Sequence, residues 1–105
     1  MNGHRVVITG LGVISGLGRS VPEFWQQIVE GKTGIGPLQS VDTTRIRFKN
    51  GCEVKNFVPA EYFEKKELAI LDKFAQFSLI AAKEAVTDAG IQWTDELRKR
   101  TCVIT

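Results

Sequence analysis

The 105 residues have an ordinary globular composition, with 43% hydrophobic and 25% charged residues, which argues against a disordered or fibrous chain. The net charge of +2 is too small to indicate nucleic-acid binding by itself. No stretch approaches the roughly 20 apolar residues that a membrane-spanning helix needs, and we expect no signal peptide. These features predict a soluble cytoplasmic protein whose two cysteines are free thiols.

The chain opens with a short apolar run that leads into a glycine-rich turn. Residues 5–9 are rich in β-branched side chains and apolar at positions 6, 7 and 8, which predicts a central strand covered on both faces. Glycines at 10, 12, 16 and 18 let the chain leave the sheet sharply. Ser20 and Glu23 have the spacing of a capping box, so we expect a helix over residues 21–30 that ends at Gly31.

This glycine-rich turn matches phosphate-binding loops only weakly. Ser15 stands where the dinucleotide fingerprint requires its third glycine. Arg19 replaces the lysine of a P-loop, at the wrong spacing from the other glycines. A tight strand-to-helix crossover is therefore the preferred interpretation. A small nucleotide-binding module, with a nicotinamide cofactor as the ligand to test, is a lesser alternative.

The middle of the chain predicts a hairpin. After a loop over residues 32–44, residues 45–49 alternate charged and apolar side chains, as a half-buried strand does. Asn50-Gly51 is a strong turn signal. A three-residue loop over 50–52 is preferred, because it places Phe48 opposite Val54 and Lys49 opposite Glu53.

The second half predicts two helices and a final strand. Apolar residues at spacings of three or four indicate one long amphipathic helix that ends at Gly90. The stripe comprises Ile70, Phe74, Phe77, Ala81, Ala85 and Ala89. Thr94 opens a short helix with a basic end, and residues 101–105 predict another buried strand. A right-handed crossover could place the two end strands parallel and adjacent.

Read as one string, the chain resembles the start of a β-ketoacyl-acyl-carrier-protein synthase, the condensing enzyme of fatty-acid and polyketide assembly. The matching pieces occur in the family's order and at close to its spacing. They are RVVITGLG at 5–12, FW at 24–25, GKTGI at 31–35, EVKNF at 53–57, DKFAQF at 72–77, AAKEA at 81–85 and DAG at 88–90. The resemblance implies an α/β, thiolase-like layered fold, in which residues 1–105 form the N-terminal part of a mixed sheet with covering helices. Such synthases are much longer, so the chain is expected to be incomplete.

The resemblance also implies a reaction, decarboxylative Claisen condensation of malonyl-carrier protein with an enzyme-bound acyl chain. The family uses one cysteine and two histidines for it, and no cofactor. Neither Cys52, in the predicted loop beside Glu53, nor Cys102, in an apolar strand, has the family's Ala-Cys setting. His4 has no acidic partner near it in sequence, and no metal site is indicated. We therefore carry over no catalytic residue and expect the 105 residues alone to be inactive. They are also expected to fold poorly, because both end strands should be buried on two faces and a chain of this size buries a limited share of its surface.

One binding role follows from the resemblance. Carrier proteins are acidic, and related synthases bind them with basic residues near the segment where Lys65 and Lys66 stand. These two lysines are candidate docking residues, although Ala69 and Ile70 replace further basic residues found in relatives. A homodimer, or a heterodimer with a ketosynthase-like subunit, is expected. A non-catalytic, chain-length-factor-like subunit is the main alternative to the enzyme.

Two further positions depart from the family pattern. Gly16 stands where relatives often have proline, and Cys52 stands where they often have glycine.

Overall fold

The computed structural model describes residues 3–105 as a helical chain with one small sheet. Four α-helices and two short strands occur in this range, together with a 3₁₀ turn at Pro59–Glu61. The elements in chain order are α1 (Val21–Val29), β1 (Ile35–Pro37), β2 (Asn50–Cys52), α2 (Lys65–Leu68), α3 (Lys73–Ala89) and α4 (Asp95–Lys99). No helix in residues 3–105 is both long and apolar enough to cross a membrane.

Helix α1 begins as the sequence predicts, with one correction. The Ser20 hydroxyl accepts a hydrogen bond from the Glu23 N–H at 3.4 Å, which is the serine half of the capping box. The Glu23 carboxylate, however, accepts from the N–H of Arg19 at 2.8 Å, one residue earlier than predicted. The helix ends at Val29, and Gly31 follows with a φ of 69°, a left-handed conformation that glycine adopts without strain.

The predicted hairpin is wrong. Residues 50–52 form strand β2 instead of a loop, and β2 pairs antiparallel with β1, which lies in the predicted loop 32–44. Gly36 lies opposite Gly51, and the Leu38 N–H donates to the Lys49 carbonyl at 2.9 Å beyond the last pair. Residues 45–49 form no strand.

A long-range contact explains why β2 pairs with β1 and not with residues 45–49. The Glu53 carboxylate accepts hydrogen bonds from the N–H groups of Gln39 and Ser40, at 2.7 and 3.0 Å. These bonds fasten the residues after β1 to the residues after β2. The Asn50-Gly51 turn signal is local, and it is overridden by a pairing between segments about 15 residues apart.

Helix α3 confirms the long amphipathic helix and its stop. The Asp72 carboxylate accepts from the Ala75 N–H at the helix start, and Gly90 ends the helix with a φ of 61°. Ile70, however, precedes α3 and is 84% exposed, and Phe74 is 73% exposed. The buried part of the predicted stripe is therefore shorter than its spacing suggested.

An aromatic cluster lies where α3 meets the segment before α2. The Phe57 ring stacks on Tyr62 at 5.5 Å and meets Phe77 edge-on at 5.0 Å. Phe63 is buried, and the Lys83 ammonium lies 5.3 Å from its ring centroid. Ile80 is also buried, so the core of the described residues centres on this side of α3.

The two predicted end strands do not pair within residues 3–105. The one sheet in this range consists of β1 and β2, so residues 5–9 and 101–105 have no neighbouring strand there. Val6 is 92% exposed and Ile104 is 90% exposed. Cys102, predicted as a core residue, is exposed for the same reason. The described residues therefore form an α/β unit whose only sheet is two-stranded, not the predicted mixed sheet.

Candidate functional site

The glycine-rich turn lies directly against α3. A Cβ atom on Gly10 would come within 2.7 Å of the Ala89 nitrogen, and one on Gly12 within 2.8 Å of the Ala85 nitrogen. Neither glycine has a positive φ, so close approach to the helix, and not an unusual backbone conformation, requires glycine there. The small residues Ala85 and Ala89 permit this approach.

Two carboxylates of α3 hold the backbone of the turn. Asp88 accepts from the Leu11 N–H at 2.9 Å, and Glu84 accepts from the Val13 N–H at 2.8 Å. The second oxygen of Glu84 accepts from the Val21 N–H, the first of α1, at 2.7 Å. Glu84 therefore joins the two ends of the glycine-rich turn. Asp88 and Glu84 lie one helical turn apart on α3, so they can accept from the N–H groups of Leu11 and Val13, which alternate along an extended segment.

The N–H groups that a phosphate would need are already occupied by protein oxygens. The Ser15 hydroxyl accepts from two N–H groups of the turn, and three carboxylate or hydroxyl groups accept from the start of α1. The N–H groups of Leu17 and Gly18 donate to the Ser15 hydroxyl. The N–H of Arg19 donates to Glu23, that of Val21 to Glu84 and that of Glu23 to Ser20. An anion at this turn would have to displace those bonds. The geometry therefore favours the crossover over the nucleotide-binding alternative.

Arg19 has a role that the sequence did not reveal. Its guanidinium donates to the carbonyls of Lys55 and Asn56, each at 2.8 Å. Asn56 has a φ of 53°, a left-handed conformation that asparagine tolerates. Arg19 therefore ties the turn to the segment after β2. No local pattern predicts this contact, because the partners lie 36 and 37 residues apart.

A cleft of about 610 Å³ lies between the turn, β2 and α3. Its lining includes Ser15, Gly16, Cys52, Lys73 and Phe77. Within it, the Ser40 hydroxyl bonded to Glu53, together with the N–H groups of Gln39 and Ser40, lowers the pKa of the Glu53 carboxyl. The cleft thus contains a thiol and charged side chains, but residues 3–105 hold no group of three or more His, Cys, Asp or Glu that could bind a metal ion.

The candidate site residues of the sequence do not come together as a catalytic centre. Cys52 and Cys102 are both free and exposed, in β2 and beyond α4. His4 is exposed before the turn. Lys65 and Lys66 lie side by side in α2 and are exposed, and Lys66 pairs with Glu64 at 3.0 Å.

Comparison with known proteins identifies relatives along almost the whole chain. Residues 3–105 match the family model of the beta-ketoacyl synthase N-terminal domain. The 3-oxoacyl-[acyl-carrier-protein] synthase 2 of Synechocystis is 38% identical over 87 residues, which are 83% of this chain and 21% of that protein. The enzyme of the same name from Vibrio harveyi is 34% identical over 103 residues, or 98% of this chain and 25% of that protein.

A solved structure gives the same result. The ishigamide ketosynthase/chain length factor superposes with a TM-score of 0.72 and 34% identity, over 82% of this chain and 21% of the matched chain. The chain thus spans about a fifth to a quarter of the length of these relatives. The chain belongs to the beta-ketoacyl synthase family, and it matches the N-terminal domain of that family.

Proposed function

We propose that residues 1–105 form the N-terminal part of a β-ketoacyl synthase domain. The complete domain would catalyse decarboxylative Claisen condensation of malonyl-carrier protein with an enzyme-bound acyl chain, in fatty-acid or polyketide biosynthesis. The observation that carries this proposal is the identity of 34–38% to 3-oxoacyl-[acyl-carrier-protein] synthases over 83–98% of this chain. The thiol nucleophile and the histidine donors of that reaction would lie outside these residues.

The exposed end segments support the fold part of the proposal. Residues 5–9 and 101–105 are apolar and mainly β-branched, and such residues favour strands packed on both faces. In the complete domain these segments would be strands of a thiolase-like layered sheet. The turn, fastened to α3 by Glu84 and Asp88, would then set the direction in which the first strand enters that sheet.

A condensation assay of the complete protein tests the function. The protein is supplied with an acyl-carrier protein and malonyl-carrier protein, and the expected products are CO₂ and the 3-oxoacyl-carrier protein, with an acyl-enzyme seen by mass spectrometry. An inactive protein that forms no acyl-enzyme would contradict this function.

A non-catalytic, chain-length-factor-like subunit is the second candidate. The match to a ketosynthase/chain length factor favours keeping it, because such a partner would retain the fold without the nucleophile. An inactive protein that forms a heterodimer with an active ketosynthase, and is needed for that partner's activity, would support this candidate. Homodimers with an acyl-enzyme in each subunit would support the enzyme.

Lys65 and Lys66 are proposed to help dock the acidic carrier protein. Both are exposed at the surface of α2, and Lys65 forms no ion pair among residues 3–105. Each exposed charge contact contributes about 1 kcal/mol or less, so replacing both lysines with glutamate should raise the KM for carrier-bound substrate about tenfold at low salt. Turnover of a small thioester mimic should hardly change.

The same charge change elsewhere provides the control. Lys99→Glu with Arg100→Glu alters two adjacent exposed cations at the end of α4. If the control raises KM as much as the α2 variant, or if the α2 variant leaves KM unchanged at low salt, docking does not involve Lys65 and Lys66.

A further inference from the structure

The connection between β1 and β2 is held mainly at its two ends. Within residues 3–105, residues 41–48 form hydrogen bonds only among themselves. They also form no ion pair in that range. We call residues 38–49 the strap. The position of the strap therefore depends on the contacts at its ends.

The strand pairing at the base of the strap is weak. Strands β1 and β2 share three residue pairs, and the central pair is Gly36 with Gly51. Glycine in a strand has no side chain to pack and loses more conformational freedom than other residues on folding. Pro37 has no N–H to donate. Because a lone two-stranded sheet is marginally stable at best in water, this pairing alone would not keep the strap in one position.

One carboxylate attaches the strap more strongly. Glu53 accepts hydrogen bonds from the N–H groups of Gln39 and Ser40, at 2.7 and 3.0 Å, and from the Ser40 hydroxyl. Hydrogen bonds to a charged acceptor are about twice as strong as those between neutral groups. The strap is therefore held against β2 by three bonds that all end on the same charged side chain.

Leu38 marks the point from which the strap can move. Its N–H donates to the Lys49 carbonyl at 2.9 Å. Its side chain lies over Gly51, where a Cβ atom would come within 2.6 Å of it. Neither contact involves Glu53. Loss of the bonds to Glu53 would therefore release the strap from Gln39 onward and leave Leu38 in place.

We infer that the strap has a closed position, which the negative charge of Glu53 maintains, and an open position, which it adopts when this charge is removed. In the closed position Gln39 and Ser40 are part of the lining of the cleft of about 610 Å³. In the open position these two residues leave the lining, and the cleft is wider on that side. The charge of one carboxylate thus sets the shape of the cleft.

The groups around Glu53 favour its ionised form. The Ser40 hydroxyl lowers the pKa of the Glu53 carboxyl most, and the N–H groups of the strap and the Lys73 ammonium act in the same direction. The other titratable side chains of the cleft lining are Cys52 and Lys55. Because the pKa is lowered, the closed position is fully stabilised above the ordinary pKa and loses stability as the pH falls through the lower value.

Hydrogen exchange of the complete protein tests the strap. Glu53→Gln keeps the shape of the side chain but replaces an acceptor oxygen with an NH₂ group, which cannot accept from an N–H. At neutral pH the amides of Gln39 and Ser40 should exchange about tenfold faster in this variant, the factor expected for one lost hydrogen bond to a charged group. The amides of Leu11 and Val13, which bond to α3, should exchange at the wild-type rate.

Two matched variants serve as controls. Asp42→Asn also removes a negative charge from this region, but Asp42 accepts from Thr44 within the strap, so exchange at Gln39 and Ser40 should change less than about twofold. Ser40→Ala removes one of the three bonds and keeps the charge of Glu53. It should accelerate exchange at Gln39 by a factor between those of the other two variants.

Three results would overturn the inference. Wild-type exchange at Gln39 in a folded Glu53→Gln variant would show that other contacts hold the strap. Equal acceleration in Asp42→Asn would show that the effect is not specific to Glu53. Faster exchange at the amides bonded to α3 as well would show that the variant is destabilised as a whole. If Glu53→Gln does not fold, wild-type exchange in Ser40→Ala would contradict the inference instead.

Acid should open the strap of the wild type. After correction for the intrinsic pH dependence of exchange, protection at Gln39 should fall as the pH drops below 4.5, the ordinary pKa of the Glu53 carboxyl. The Glu53→Gln variant should show no such fall. An equal fall in the two proteins would assign the titration to another group and overturn the role of the Glu53 charge. None of these measurements needs condensation activity, so they stand apart from a failure of the proposed function.

Discussion

The turn over residues 10–21 and the end segments 5–9 and 101–105 are held in opposite ways. In the turn, carboxylates of α3 accept from the N–H groups of Leu11, Val13 and Val21, and glycines let the chain touch the helix. The end segments have more strongly apolar sequences, but Val6 and Ile104 are almost fully exposed. Apolar composition alone therefore does not produce a strand, because a strand also needs hydrogen-bonding partners for its backbone.

The turn can be ordered without a sheet because carboxylates of α3 accept from its N–H groups. An extended segment presents N–H groups on one side at every second residue, and Leu11 and Val13 are two such residues. Asp88 and Glu84 are one helical turn apart, so their side chains meet those two groups in place of a neighbouring strand. Asp88 and Glu84 accept from Leu11, Val13 and Val21, and not from residues 5–9. The end segments need strand partners that residues 3–105 do not provide.

The largest effect is expected for a substitution that breaks the close contact between the turn and α3. Gly12→Ala places a Cβ 2.8 Å from the Ala85 nitrogen, and the backbone of a long helix cannot move aside easily. We expect the free energy of unfolding of the complete protein to fall by about 3 kcal/mol, the upper end of the range for overpacking. Denaturant unfolding measures this loss.

Gly3→Ala is the matched control, because a Cβ there meets nothing within 4 Å. Its effect should be below about 0.5 kcal/mol, as for most surface substitutions. Equal effects of the two changes would show that the turn does not pack against α3 as closely as described.

A smaller effect should appear where two departures from the family pattern meet. Gly16 has no positive φ, but a Cβ there would contact the Cys52 thiol and would lie 2.8 Å from the Glu53 carbonyl oxygen. A Cβ on Gly34 would also lie 2.7 Å from the same sulfur. The thiol therefore fits only because both neighbours are glycine. Relatives often have proline at position 16 and glycine at position 52. In this chain the smaller residue, glycine, is at 16 and the larger one, cysteine, is at 52.

A double-mutant cycle tests this size match. Gly16→Ala alone should destabilise the complete protein by about 2 kcal/mol, because the new methyl group overlaps the sulfur. Adding Cys52→Ala removes the sulfur and should recover about 1 kcal/mol, so the two changes should be coupled. Strictly additive effects in denaturant unfolding would mean that Gly16 is required by the Glu53 carbonyl and not by the thiol.

The sequence predicts the helix ends whose signals are local, whereas the local Asn50-Gly51 turn signal gave the wrong element. The Ser20 cap, the Gly31 and Gly90 stops and the Thr94 cap all lie within a few residues of the groups they serve, and the structure has each of them. The pairing of β1 with β2 and the contacts of Arg19 join residues far apart in the chain, so turn and strand patterns could not indicate them. Likewise, the apolar stripe of α3 does not indicate that the glycine-rich turn packs against Ala85 and Ala89.

The smallest effect is expected for the two cysteines, Cys52 in β2 beside the turn and Cys102 in the end segment 101–105. Reactive thiolates are stabilised at helix N-termini or beside cations, whereas Cys52 lies in β2 and Cys102 follows the C-terminal end of α4. Replacing both with alanine should leave acyl transfer by the complete protein unchanged. The change at position 52 should lower the free energy of unfolding only modestly. Mass spectrometry after incubation with an acyl-carrier protein should still detect an acyl-enzyme, and near-native thermal unfolding would confirm that the variant is folded. A folded double variant that no longer forms an acyl-enzyme, when the wild type does, would place the nucleophile within these 105 residues and contradict the proposed location of the catalytic centre.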